Sequence, residues 1–156
     1  MNVNHVVVVG AGLAGLRTVE ALRGRGFGGR ITLVGEERHR PYDRPPLSKA
    51  VLKGDADTSF VDTDLDALQV DFWPGVSAKS LRAGVVETTE GEIGYDGLVI
   101  ATGAEPIRLP GDGLQHVLRT LDDAHELRAV LVPGARVAII GAGWIGAEVA
   151  TAARRA

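Results

Sequence analysis

The 156-residue chain carries seventeen Lys and Arg against twenty Asp and Glu, with twenty-one glycines and no cysteine. Its length suits one core of ordinary size, and its near-balanced charge lacks the basic footprint that nucleic acid or an anionic membrane selects. Structural disulfides, thiolate metal sites and cysteine nucleophiles are excluded, and His5, His39, His116 and His125 never fall at ligand spacing, so no metal site is expected.

Val6 to Val9 is a continuous apolar run, the pattern of a central parallel strand covered on both faces. It leads through Gly10-Ala11-Gly12-Leu13-Ala14-Gly15 into a helix. There Leu13, Leu16, Val19 and Leu22 recur in steps of three, with Arg17, Glu20 and Arg23 between them. This stretch could pass for the apolar part of a signal peptide, but Met1 to His5 hold no Lys or Arg and three glycines interrupt the run. Nothing approaches the ~18 uninterrupted apolar residues of a membrane span, so the expected location is the cytoplasm. Gly24 to Arg30 ends the helix. Its RGG-like composition is shared with RNA-binding segments, but a lone short stretch between helix and strand reads more simply as a turn.

Ile31 to Val34 reads as the second buried strand. Arg40 to Pro46 is extended, and Pro45 or Pro46 can open a short helix through Lys53. Asp62-Thr63-Asp64-Leu65-Asp66 resembles a calcium loop, but Ala67 stands where that loop needs glycine and Trp73 where it needs Glu, which leaves a solvated acidic turn. From Val70 to Thr102 the pattern is one of short strands, including a hairpin of Val85 to Thr88 and Glu92 to Tyr95 about a turn at Thr89 to Gly91. Leu98 to Ala101 is again a buried strand, and Pro106, Pro110 and Gly111 mark a linker. Thr120-Leu121-Asp122-Asp123 starts a helix that runs to about Leu131 and stops at Pro133-Gly134. A strand at Val137 to Ile140 and a helix from Trp144 then repeat the opening strand–turn–helix.

Gly10, Gly12 and Gly15 stand in the spacing G-x-G-x-x-G, as do Gly141, Gly143 and Gly146. In this arrangement the first glycine permits a tight turn, the second lets the backbone approach a pyrophosphate, and the third brings helix and strand close. The free N–H groups and positive end of the helix favour the phosphate charge. Glu36 follows the second strand about twenty residues after Gly15, where a carboxylate accepts hydrogen bonds from an adenosine ribose. Glu37 or a more distant acid could take that role; Glu36 comes sooner after the strand. Two such motifs in one chain indicate two dinucleotides handled together, with electrons passing between them.

The motif alone does not separate NAD from FAD. Arg44-Pro45-Pro46-Leu47-Ser48-Lys49 resembles the signature of NADH-dependent ferredoxin and rubredoxin reductases, flavoproteins of the pyridine nucleotide-disulfide oxidoreductase superfamily. Tyr95-Asp96-Gly97-Leu98-Val99-Ile100-Ala101-Thr102-Gly103 resembles that family's second FAD-contact strand, and Leu118-Arg119-Thr120-Leu121-Asp122-Asp123-Ala124 its L-R-T-x-x-D-A segment. The resemblance implies an α/β, Rossmann-like FAD/NAD(P)-binding fold with a β-hairpin or meander insertion. It places the N-terminal part of an FAD domain at residues 1–112 and the start of an NAD domain at residues 113–156. It further implies FAD and NADH as cofactors, with hydride passing from nicotinamide to flavin and single electrons leaving for a ferredoxin- or rubredoxin-type iron–sulfur protein.

Carried over position by position, the resemblance gives Gly10, Gly12, Leu13, Ala14 and Gly15 to the FAD pyrophosphate and Glu36 to the ribose. Arg44 and Lys49 go to the pyrophosphate–flavin side, Ala78 to the adenine side through its backbone, and Thr102, Gly103 and Arg119 to closure over the cofactor. Gly141, Gly143, Ile145 and Gly146 begin the NADH site, and Lys49 and Glu148 pair as the catalytic groups beside the nicotinamide–flavin contact. Disulfide-using relatives place cysteines shortly after the second strand, whereas this chain has none, which leaves direct transfer from flavin to a metal centre. Full members are more than twice as long, so the chain is expected to be truncated and inactive by itself. The competing readings are a non-catalytic dinucleotide-binding module, or the front end of another flavoprotein such as an NADH-dependent nitrite reductase.

Overall fold

In the computed structural model, which describes residues 3–155, the chain divides into two compact units. One gathers the N-terminal stretch through Tyr42 with Phe60–Gly103; the other gathers Asp43–Ser59 with the stretch from Ala104 onward. The segment that bears the Arg-Pro-Pro-Leu-Ser-Lys signature thus belongs to the second unit.

The first unit is built on β1 (His5–Val9), α1 (Leu13–Gly24), β2 (Arg30–Gly35) and β3 (Val70–Pro74), followed by β4 (Ala78–Arg82), β5 (Val85–Thr88), β6 (Gly91–Gly94) and β7 (Gly97–Ile100). Four strands form a parallel sheet in the order β3-β2-β1-β7, with Val6 opposite Ile31 on one side and Gly97 on the other. From Val6 to Val9 β1 is apolar because both its faces are covered. Val6 and Val8 pack with Ile31, Leu33 and Val19 of α1. Val7 and Val9 pack with Val34 and with Val86 and Ile93 of the antiparallel meander β4-β5-β6. The hairpin turn is tighter than its sequence implies: β6 starts at Gly91, and the buried Thr88 hydroxyl donates to Gly91 O (2.7 Å) and accepts from Glu90 N (3.1 Å). The acidic stretch is a turn, in which Asp64 Oδ1 accepts from the backbone of Asp66 and Ala67.

Two polar clusters fasten the sheet. Arg23, near the end of α1, donates to the carbonyls of Phe27, Gly29, Leu68 and Gln69 at 2.6–3.0 Å. It thereby holds Gln69 in a left-handed conformation (φ 51°) just before β3. At the start of β1, Asp96 Oδ2 accepts from the backbone N–H of Asn4 (2.8 Å) and His5 (2.9 Å). Those two bonds, Asn4 first, hold the Asp96 carboxyl below its ordinary pKa.

The second unit is helical. Pro45–Ser48 form a 3-10 turn and Ala50–Lys53 form α2, closed by Gly54 with φ 79°. The single helix expected through Lys53 is therefore two pieces, broken at Lys49 (φ −120°, ψ −103°). α3 (Leu121–Val130) begins in a capping box: Thr120 Oγ1 accepts from Asp123 N, and Asp123 Oδ2 accepts from Thr120 N. α4 is Trp144–Ala153. Leu52, Leu127, Leu131, Val149 and Ala152 form the core between these helices. The strand expected at Val137 to Ile140 is not formed: among the described residues no strand pairs with it, and Ile140 is 79% exposed. An apolar run becomes a strand only through a partner's hydrogen bonds. Among the described residues no helix is long and apolar enough to cross a membrane, and no acid–His cluster could hold a metal ion.

Candidate dinucleotide site

The first glycine loop is held by the sheet around it. Gly10 N donates to Val34 O (2.8 Å), and Gly10 adopts φ 110°, a region that disfavours side chains. A Cβ there would lie 2.2 Å from Ala101 O, just past β7. Gly15 is equally constrained, since its Cβ would lie 1.9 Å from Gly10 O. Gly12 differs. It precedes the first residue of α1 with ordinary dihedrals (φ −75°, ψ −173°), no side chain caps that helix, and a Cβ there would meet nothing within 4 Å. Leu13 and Ala14, next in line, are exposed. A bare helix N-terminus above an open glycine cradle fits the pyrophosphate of a dinucleotide.

Glu36 and Glu37 leave the end of β2 with different fates. Glu37 Oε2 accepts from the buried Tyr42 hydroxyl at 2.5 Å. Glu36 is exposed, and its Oε1 accepts from Ser77 Oγ at 3.1 Å. The loop bearing Ser77 is laid on the end of β2 by bonds from Val76 N to Gly35 O (2.9 Å) and Gly75 N to Glu37 O (3.0 Å). Ala78 follows as the exposed first residue of β4, so the predicted adenine-side residue lies next to the Glu36 partner. Thr102 and Gly103 are exposed just past β7, and Thr102 N would stand 2.8 Å from a Gly10 Cβ. Gly10, Gly12, Gly15, Glu36, Ala78 and Thr102 therefore gather at the end of the sheet where β1, β2 and β7 finish.

The second loop repeats the first in backbone geometry. Gly141 has φ 112°, Gly143 has φ −76° and ψ −176°, and a Gly146 Cβ would lie 2.2 Å from Gly141 O. Ile145 is exposed in the first turn of α4. In the same unit Arg44 donates through Nη1 to Arg119 O, and Arg119 N donates to Asp123 Oδ2 at 2.9 Å. Lys49 Nζ lies 3.0 Å from Glu148 Oε2, and Ser48 Oγ donates to that same oxygen at 2.5 Å. Ser48 first and Lys49 second hold the Glu148 carboxyl below its usual pKa, against a smaller desolvation effect.

Three contributors escape the sequence reading. Gly35 is one: its Cβ would meet Ala11 Cβ at 2.6 Å, so β2 can run under the loop only as glycine. The glycine directly before Glu36 was the available signal. Ser77 and Ser48 are the others, and their partners lie far off in sequence, at Glu36 and Glu148.

The profile of the pyridine nucleotide-disulphide oxidoreductase family matches residues 4–156. The ferredoxin–NAD(+) reductase component of the p-cumate 2,3-dioxygenase system of Pseudomonas putida is 42% identical over 98% of this chain and 40% of its own length. Putidaredoxin reductase of Pseudomonas putida is 38% identical over 100% of this chain and 40% of its own. Among solved structures, Fdr9 superposes with a TM-score of 0.95 at 55% identity, over 97% of this chain and 39% of that one. The reductase in a covalent putidaredoxin reductase–putidaredoxin complex gives 0.88 at 36% identity, over 97% and 40%. The chain thus spans about two fifths of the length of these relatives.

Proposed function

Since this chain belongs to the pyridine nucleotide-disulphide oxidoreductase family, we propose that it carries the dinucleotide-binding part of a flavoprotein reductase. The reaction is electron transfer from NADH through FAD to a ferredoxin- or rubredoxin-type iron–sulfur protein. The observation that carries the reading is the first glycine loop, with an open cradle at Gly12, an uncapped helix behind it and an exposed Glu36 at the next strand end. The relatives named as ferredoxin–NAD(+) reductase components and as putidaredoxin reductase support electron exchange between a nicotinamide cofactor and a ferredoxin-type protein.

In this reading Gly10, Gly12, Leu13, Ala14 and Gly15 bind the FAD pyrophosphate and Glu36 the ribose, with Ala78, Thr102, Gly103, Arg44 and Arg119 completing the cofactor contacts. Gly141, Gly143, Ile145 and Gly146 bind NADH, and Lys49 and Glu148 set the charge beside the reacting rings. FAD, when bound, supplies the conversion of a two-electron donor into single electrons. The functional boundary is proposed near residue 112, and the location is proposed as the cytoplasm, which holds the NADH pool.

The test is to titrate the purified chain with FAD and then add NADH without oxygen. Bound flavin that bleaches supports the reductase. Flavin that binds without bleaching keeps the FAD assignment, as expected of a chain that spans about two fifths of the reductases it matches, and binding of adenine dinucleotides without flavin supports a non-catalytic module instead.

A further inference from the structure

Two donors of different character converge on one oxygen of Glu148. Lys49 is half exposed, and its ammonium is shared between Glu148 Oε2 and Pro45 O, each at 3.0 Å. An exposed ammonium on a flexible stem is screened by salt and weakly localising. Ser48 is only 6% exposed, and its hydroxyl reaches the same oxygen at 2.5 Å. A short bond from a sheltered hydroxyl to a carboxylate is directional and escapes most screening. Its base is rigid, because Ser48 ends a 3-10 turn between the buried Leu47 and the helix that buries Val51 and Leu52. No donor among the described residues reaches Oε1 of Glu148.

We propose that Ser48 is the positioning residue of the Lys49–Glu148 pair: its hydroxyl pins Oε2 of Glu148 and leaves Oε1 as the carboxylate's remaining acceptor. Lys49 then docks onto a carboxylate already oriented, and the bond ties the Arg-Pro-Pro-Leu-Ser-Lys segment to the helix of the second glycine loop. The functional weight of this arrangement rests on the reading of Lys49 and Glu148 as the pair beside the reacting rings; the geometry itself does not. The charged groups acting on Glu148 are Lys49, from the junction of the 3-10 turn and α2, and Lys53 of α2, both cationic and both open to screening.

The experiment is a carbon-detected NMR titration of the Glu148 side-chain carboxyl in the 156-residue chain. It is run at low salt and in about 1 M salt, where the screening length falls to about 3 Å. Wild type, Ser48→Ala, Ser48→Thr and Lys49→Gln are compared. A wild-type midpoint that stays below the ordinary Glu value in high salt is expected. Ser48→Ala is expected to raise it more than Lys49→Gln does, and Ser48→Thr to restore it. A midpoint that returns to the ordinary value in high salt, or a larger shift from Lys49→Gln, overturns the proposal. The wild-type salt comparison decides the matter even if Ser48→Ala fails to fold. FAD titration of the same samples separates the two readings. Absent flavin binding with a low, salt-resistant midpoint removes the reductase reading and keeps Ser48. Intact flavin binding with a salt-sensitive midpoint does the reverse.

Discussion

The two glycine loops share one backbone and differ in what stands around it. Gly10 and Gly141 have φ of 110° and 112°, and Gly15 and Gly146 each press against the carbonyl of the first glycine. Yet a Cβ on Gly10 would strike Ala101 O at 2.2 Å, whereas one on Gly141 would meet nothing within 4 Å. The first loop follows a strand with partners on both sides; the residues before the second, Val137 to Ile140, have none among the described residues. The turn is therefore a local property of glycine spacing, while the walls of the site come from strands remote in sequence.

The sharpest way to break that distinction is to put alanine at the first glycine of each loop. Gly10→Ala combines an unfavourable φ with a backbone collision and should destabilise the first unit by about 4 kcal/mol. Gly141→Ala carries only the dihedral strain and should cost about 1–2 kcal/mol. Amide hydrogen exchange across a urea series checks this, with the amides of β1 reporting the first unit and those of α4 the second. Equal losses would mean that the sheet adds nothing to the first loop.

Smaller effects sharpen the ligand side. Glu36→Ala should weaken FAD or ADP-ribose binding by roughly 1.5–3 kcal/mol, the worth of a hydrogen bond to a charged group; undiminished binding in a titration would reassign the ribose acid. Gly12→Ala should move two quantities in opposite directions. Its dihedrals suit alanine, so the fold should gain about 0.4–1 kcal/mol, while a methyl in the cradle should weaken FAD at least about tenfold, or ~1.4 kcal/mol. Thermal melts and flavin titrations on one sample read both.

The smallest effect expected is pH dependence. Asp96 in the first unit and Glu148 in the second both have lowered carboxyl pKa values, from backbone N–H groups in one case and from Ser48 and Lys49 in the other. Each adds stability above its unfolded pKa of about 4 and loses it as pH falls through the lower folded value. Asp96→Asn should flatten the acid limb of the first unit's transition and leave that of the second unchanged, as measured by the same exchange-monitored urea midpoints between neutral and acid pH.

Much of the first unit was legible because its signals are local. Four consecutive valines, a three-residue apolar step and glycines at phosphate-loop spacing specify β1, α1 and the loop between them. The partners of Glu36 and Glu37 were not, since Tyr42 reaching back to Glu37 and Ser77 meeting Glu36 depend on how remote segments fold. Resemblance, not spacing, pointed to Lys49 meeting Glu148, and it passed over Ser48 because a serine shows no partner a hundred residues away. Val137 to Ile140 misled for the converse reason: apolar character belongs to the segment, but a strand is a relation between two segments.

The collision that makes Gly10 irreplaceable has a kinetic meaning. Its source, Ala101, is brought there by the pairing of β1 with β7, which joins Val6 to Gly97 across about ninety residues. Entropy makes so long a closure slow and late compared with the β1–α1–β2 neighbours. During refolding, dinucleotide binding should accordingly lag the appearance of helix, and its onset would time the moment at which the last strand joins the sheet.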